Sequence, residues 1–200
     1  MKNSNTYEKW ILEGYRYFSE VGPEAFSIKE LSERSGLSRT SFHYYFESKE
    51  DFFDLLIDHL MEEIRKFGSL ATKNPTDVIG GIAQTMETMS TGVLFHMQLS
   101  LHRDIPYFNK AYLKGHSLYF ENGILDWFLD FFHLKMTREE GKRTYLLFVD
   151  VLSSRLEYQL QTDNVSIPIS SLFYEIIQDF KKMLRAYSPP GSQKRSGNIS

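Results

Sequence analysis

The 200-residue sequence contains no cysteine, which excludes disulfides and thiolate metal sites. It has no apolar run near the length that spans a bilayer. Its opening, MKNSNTYEKW, lacks the apolar stretch of a signal peptide. We therefore expect no membrane partner and a cytoplasmic location. Strand-like alternation and internal repeats are missing. So is a surplus of positive charge: the formal net charge is −3, so any contact with nucleic acid has to come from a local basic patch. The six histidines include no H-x-x-x-H pair, and no metal is expected. Gly80-Gly81 falls inside a helical pattern and is no phosphate loop. No Ser-His-Asp set can be picked out, and Glu139-Glu140 reads as the charged first turn of a helix. No cofactor is expected, and the sequence does not read as an enzyme.

Aromatic side chains are plentiful, with sixteen Phe and twelve Tyr. Helical periodicity dominates, and an all-α fold follows. Trp10, Gly14, Tyr17, Phe18 and Val21 lie on one face of a first helix, which Val21-Gly22-Pro23 should end. Ser27 and Glu30 have the spacing of a capping box and open a second helix, with Ile28 and Leu31 apolar. Gly36 suits a left-handed C-cap. Ser38 then caps a third helix that turns Phe42 and Phe46 inward, and Ser48 caps a fourth carrying Phe52, Leu55, Leu56, His59 and Leu60. Further helices are expected from Asn74-Pro75 to about Ser90, through Phe95 and Leu99, and from Tyr107 to His133 with a possible break at Asn122-Gly123. Another opens with a Thr137–Glu140 capping box and runs to about Gln161; the last follows Ile167-Pro168 and ends near Tyr187.

Two short helices joined by a glycine turn make a helix-turn-helix pattern. With Phe42 and Phe46 inside, Arg39, Thr40, His43 and Tyr44 lie on the outer side near the N-terminus of the third helix. That end of a recognition helix meets base edges. Arg39 can pair bidentately with guanine, and the Thr40 methyl can meet a thymine methyl. Ser38 and Ser41 belong to the same stretch; His43 and Tyr44 can reach phosphates or sugars. Lys49 stands in the first turn of the fourth helix, where a cation does not help the helix itself; a phosphate partner explains it. Ser27 and Lys29 are placed for flanking backbone contacts.

Residues from about Trp10 to Phe53 resemble the DNA-binding domain of the TetR (tetracycline repressor) family of transcriptional regulators. The run GLSRTSFHYYFESKE, Gly36 to Glu50, follows that family's common GVSKGTLYRHFPSKE pattern position by position, and Phe26 to Leu31 fits upstream. His43 stands where Tyr is usual, which leaves open whether it takes over the usual tyrosine contact. Ser32 replaces a small Ala and Glu47 a common Pro. The resemblance implies a homodimer that binds a double-stranded DNA operator, and a divergent helical second domain that takes a small effector. It divides the chain into a three-helix DNA-binding domain at 1–53 and an effector-binding and dimerisation domain at 54–187; the polar, Pro-, Gly- and Ser-rich run at 188–200 reads as a disordered tail.

Beyond His59 the residues themselves must support that expectation. Phe173, Ile176, Phe180, Met183 and Leu184 form an apolar stripe on the last helix, and Tyr145, Val149, Leu152 and Leu156 form one on the helix before it. These are the candidate dimer faces, a four-helix bundle between subunits being the natural arrangement; the alternative is that both stripes belong to the core of one chain. Met86, Met89, Phe95, Leu101, Tyr112, Tyr119, Phe120 and Trp127 are candidate walls of an effector pocket, with His96, His102 and His116 as polar handles. The effector would be bulky and largely apolar or aromatic, releasing a repressor from a palindromic operator. The alternative function is a DNA-anchored protein-interaction module without a small effector.

Overall fold

The computed structural model describes residues 4–71, 77–162 and 168–187. Among these the chain is all-helical, with no strand: α1 (Ser4–Ala25), α2 (Ile28–Ser35), α3 (Arg39–Tyr45), α4 (Lys49–Ala71), α5 (Val78–Thr88), α6 (Ser90–Leu101), α7 (Pro106–Glu121), α8 (Ile124–Phe131), α9 (Arg138–Gln161) and α10 (Ile169–Tyr187).

Local chemistry sets most of the boundaries. Ser38 accepts from the Ser41 amide at 3.2 Å and Ser48 from the Asp51 amide at 3.0 Å, so both cap as their positions suggest. Thr137 and Glu140 form the reciprocal capping box. The expected box at Ser27 does not form. The Ser27 side chain makes no cap bond, and Glu30 instead accepts from the Tyr17 hydroxyl at 3.1 Å, tying α2 to α1. α1 is kinked where it was expected to stop: Gly22 takes φ 71° and ψ −178°, and the helix resumes through Pro23 to Ala25. The Tyr107–His133 segment is two helices, α7 and α8, parted at Asn122-Gly123 with Gly123 at φ 80°. Asp77 caps α5 through the Gly80 amide at 2.9 Å. The expected start at Asn74-Pro75, Ile167 and the expected tail at 188–200 lie outside the described residues.

Two adjoining apolar clusters hold these helices. The first joins Trp10 and Phe18 of α1, Phe42 of α3, Phe52 and Leu56 of α4, and Phe95 and Leu99 of α6. The second joins Phe67 of α4, Ile82 of α5, Met97 of α6, Phe128 of α8, Phe148 of α9 and Phe173 and Phe180 of α10. α4 crosses residues 53 and 54 unbroken and serves both clusters. In the first, Phe42 is fully buried, edge-on to Trp10 at 5.3 Å and to Phe52 at 5.1 Å, while Phe46 meets Phe52 at 4.6 Å. Burying a phenylalanine contributes roughly 1.5–3 kcal/mol, and each ring pair about 0.5–1.5 kcal/mol more. This ring cage fixes α3 against α1 and α4.

Gly14 lets α1 approach α4. A Cβ there would stand 2.4 Å from Phe52 Cζ, on a ring already locked by Phe42 and Phe46. Gly14→Ala gains up to about 1 kcal/mol of helix propensity but overpacks the joint by about 1–3 kcal/mol. Denaturant unfolding is expected to show a net loss of stability; a midpoint at or above that of the parent protein would mean that the ring cage yields.

Candidate nucleic-acid interface and effector cavity

The turn between α2 and α3 is built from backbone and serine hydroxyls. Gly36 adopts φ 65°, ψ 22°, a left-handed conformation that a side chain would strain. Its amide donates to Glu33 O and the Leu37 amide to Ser32 O, closing the end of α2. The Ser32 hydroxyl donates to Leu37 O across the turn, a bond that alanine at this position would lack. Ser41 is half-buried and faces inward: its hydroxyl donates to Ser38 O at 2.8 Å and accepts from Trp10 Nε1 at 3.3 Å. Among the residues expected at DNA, Ser38, Arg39, Thr40, His43, Tyr44 and Lys29 are exposed and Ser27 is half-buried. Arg39 has no ion-pair partner among the described residues, whereas Arg34 is held by Glu20 and lies over the Tyr17 ring at 4.7 Å. The result is a short polar row on α3, backed by a rigid aromatic base.

Lys49 is placed differently from its expected role. Its Nζ reaches back to Phe26 O at 2.9 Å and Pro23 O at 3.3 Å, and lies over the Phe26 and Phe53 rings. Partial burial lowers its pKa. The cation in the first turn of α4 thus serves the C-terminal end of α1, where exposed carbonyls and the helix dipole favour positive charge. That placement accounts for a lysine in this turn without a phosphate.

Among the helices of the second cluster lies a largely apolar cavity of about 80 Å³. Five of the expected pocket residues meet there: Met86, His96, His116, Tyr119 and Trp127. The others do not. Phe95 faces the opposite way, stacked on Phe18 at 4.2 Å and Tyr15 at 4.7 Å. His102 Nδ1 pairs with Gln98 O at 2.8 Å, and Tyr112 belongs to the first cluster. Met89, Leu101 and Phe120 pack around the second cluster without lining the cavity. Met97 lines it too, and Phe67, Ile82, Val93, Phe148 and Ser153 line it without having been expected there. Val93, His96 and Met97 have i, i+3, i+4 spacing, the signal that could have separated this face of α6 from that of Phe95.

The expected dimer stripes also contribute to this wall. Tyr145, Val149, Leu152, Leu156 and Phe173 line the cavity. Tyr145, Val149, Leu156, Phe173, Ile176 and Phe180 are buried within the chain itself, so the stripes are core. Leu152 and Leu184 are half-buried, and Met183 is exposed.

His96 and His116 lie among the polar residues of the lining, with Ser153 and the tyrosines Tyr119 and Tyr145. Their rings are 4.8 Å apart at 79°, and His96 Nε2 and both His116 ring nitrogens have no hydrogen-bond partner among the described residues. Burial lowers the pKa of His96 to about 4; burial and then the neighbouring His96 push His116 well below the usual range. No Asp, Glu, Lys or Arg lines the space.

A short helix with an exposed polar row, fixed across a glycine turn to the helix before it, has the geometry of a helix-turn-helix unit. Residues 12–56 match the family model described as bacterial regulatory proteins, tetR family. The fold is shared with a TetR-family transcriptional regulator from Rhodococcus sp., at TM-score 0.58 and 12% identity, over 88% of this chain and 98% of that one. It is shared also with a tetR-family transcriptional regulator from Streptomyces coelicolor, at TM-score 0.52 and 17% identity, over 93% of this chain and 83% of that one. At such identities the likeness is one of fold. No curated protein matches the sequence. Residues 12–56 therefore resemble a tetR-type DNA-binding region, and the chain as a whole shares the fold of the two regulators. No helix among the described residues is long and apolar enough to cross a membrane.

Two outcomes are expected. Lys49→Ala removes the bonds to Phe26 O and Pro23 O and costs about 1–2 kcal/mol of stability, while the salt dependence of DNA binding stays unchanged. A slope of log affinity against log salt that falls by about one would instead make Lys49 a phosphate contact. The second concerns pH. The folded pKa of His96 lies below its unfolded value near 6.5, so between pH 6.5 and about 4 the unfolded chain binds the extra proton. Stability contributed by neutral His96 is complete above pH 6.5 and is lost as pH falls, by about 3 kcal/mol in all. Thermal melts of the parent and of His96→Leu across that range should diverge, the parent losing more; parallel profiles would refute it.

Proposed function

We propose that the chain is a homodimeric, cytoplasmic transcriptional repressor released from a palindromic operator by a small, largely apolar effector. The observation that carries this reading is the continuity between cavity and recognition helix. α6 lines the cavity with Val93, His96 and Met97, and on its other side stacks Phe95 on Phe18 and Tyr15 of α1. Gln98 Nε2 donates to Ser19 O of α1 at 3.3 Å. α1 in turn holds α3 through Trp10, which meets Phe42 and donates to Ser41. An effector that favours the released geometry by only 1–3 kcal/mol changes operator affinity about 5–150-fold.

In this reading Arg39 and Thr40 meet base edges, and Ser38, His43, Tyr44, Lys29 and Ser27 meet the backbone. The dimer uses an apolar face that the chain itself leaves uncovered: Leu147, Val151 and Tyr158 on α9, with Tyr174 and Met183 on α10. The three on α9 are spaced i, i+4, i+11 and share one side of the helix. Two subunits joined there would place paired recognition helices for half-sites about 34 Å apart.

Selection from a randomised DNA pool tests the reading. One palindrome should be enriched, and Arg39→Ala should relax a single base pair in each half-site, at about 5–150-fold in affinity. Val151→Glu should reduce the footprint to one half-site. Salt-sensitive binding with no preferred sequence would sink the base-contact assignment.

A further inference from the structure

The cavity asks for a particular kind of ligand. A neutral imidazole carries one N–H donor and one bare nitrogen acceptor. Both ring nitrogens of His116 lack partners in the protein, so one donor and one acceptor are left over, and Nε2 of His96 adds a third free position beside them. His96 and His116 are both nearly inaccessible, at 7% and 2% exposed, and both line the cavity. Buried polar groups in native proteins find partners. A ligand that seats against these two rings can supply the bonds they lack.

A hydroxyl group fits this pattern because it donates and accepts at once. A hydrocarbon does neither, and a carbonyl only accepts. A carboxylate or an amine would carry a charge into a lining that holds no Asp, Glu, Lys or Arg to balance it. The histidines do not supply the balance, since burial keeps both rings neutral. The remaining wall is mainly apolar and rich in rings, with Tyr119 and Tyr145 against the pair and Trp127 and Phe148 elsewhere in the lining.

We propose that the cavity selects an uncharged, ring-bearing ligand with a phenol-like hydroxyl, and that His96 and His116 together receive that hydroxyl. This rests on the reading of the cavity as an effector site and adds the chemical class of the effector and its anchor. The anchor also joins the site to α6, because His96 stands next in the chain to Phe95, the ring that stacks on α1.

The test uses the full-length protein and three probes of one shape: naphthalene, 2-naphthol and 2-naphthoate, titrated calorimetrically at neutral pH. 2-Naphthol is expected to bind about tenfold more tightly than naphthalene, the worth of one well-made hydrogen bond. 2-Naphthoate should bind most weakly. In His116→Leu the advantage of 2-naphthol over naphthalene should shrink to about twofold or less, with naphthalene binding kept. Equal binding of naphthalene and 2-naphthol by the parent protein would overturn the anchor while leaving the cavity as an effector site. Tightest binding by 2-naphthoate would overturn the claim that the ligand is uncharged. Binding of none of the three would overturn both the anchor and the effector reading. The comparison within the parent protein decides the matter even where a histidine variant fails to fold.

Discussion

α6 is buried on both faces, and the rest of the structure is arranged around that constraint. Gly92 and the whole run from Phe95 to Ser100 are buried, although the run includes His96, Gln98 and Ser100. A helix in that position cannot turn polar residues to solvent, so each one needs a partner inside. Gln98 has one in Ser19 O of α1. His96 Nε2 has none within the protein. The satisfied residue joins α6 to the DNA-binding helices, and the unsatisfied one faces the cavity.

That same constraint limits what can be read from the sequence. The hydrophobic pattern of α6 has no polar side, so it names a helix but not its faces, and Phe95 and His96 look like one wall of one pocket. Phe95 belongs to the first cluster, whereas His96 lines the cavity. α9 and α10 misled in the related way. Their strongest apolar stripes suggest a subunit interface, but a divergent helical domain must first bury its own core, and the strongest stripes went there. The weaker set of exposed apolar residues, Leu147, Val151 and Tyr158, becomes legible only once the core is seen. The N-terminal region was far more transparent. Ser38, Gly36 and Phe42 each carry out a local task that their chemistry already implies: a cap, a left-handed turn, an inward ring. The capping box expected at Ser27 does not form, and the Lys49 side chain is engaged away from its own helix, for one reason. Each was judged within its own helix, while the partner that decides lies on α1 for both: Tyr17 takes Glu30 away from the box, and the end of α1 takes Lys49.

The placement of the cations bears on how a chain of net charge −3 recognises DNA. Arg34 is tied to Glu20, and Lys49 is turned toward backbone carbonyls. Few basic side chains near the turn remain for phosphates, chiefly Lys29 and Arg39. Non-specific affinity scales with the number of phosphates neutralised. In the proposed reading, a surface poor in free cations would lean on geometry, on hydroxyls and amides at the start of α3 and on base contacts by Arg39. The aromatic cage under Phe42 matters for that reason. With little electrostatic attraction to compensate, a small tilt of α3 would remove much of what holds the proposed operator.

In the proposed regulator such a tilt has two mechanical sources. α4 carries Phe67 at the cavity and Phe52 in the cage beneath α3, fifteen residues apart, about 22 Å along one unbroken helix. α6 reaches the same cage indirectly, through the Phe95–Phe18 stack and then Trp10. Both routes end on Phe42. Interiors packed like organic crystals do not absorb a displacement locally. A ligand that seats on His96 and presses toward Phe67 therefore acts on α3 from two sides, through rings that are already in contact. The absence of charge from the cavity serves this end, because a tightly held ion would have to be matched by the protein before any movement followed. A neutral molecule fills space first, and the space it fills lies between the two helices that set the angle of α3.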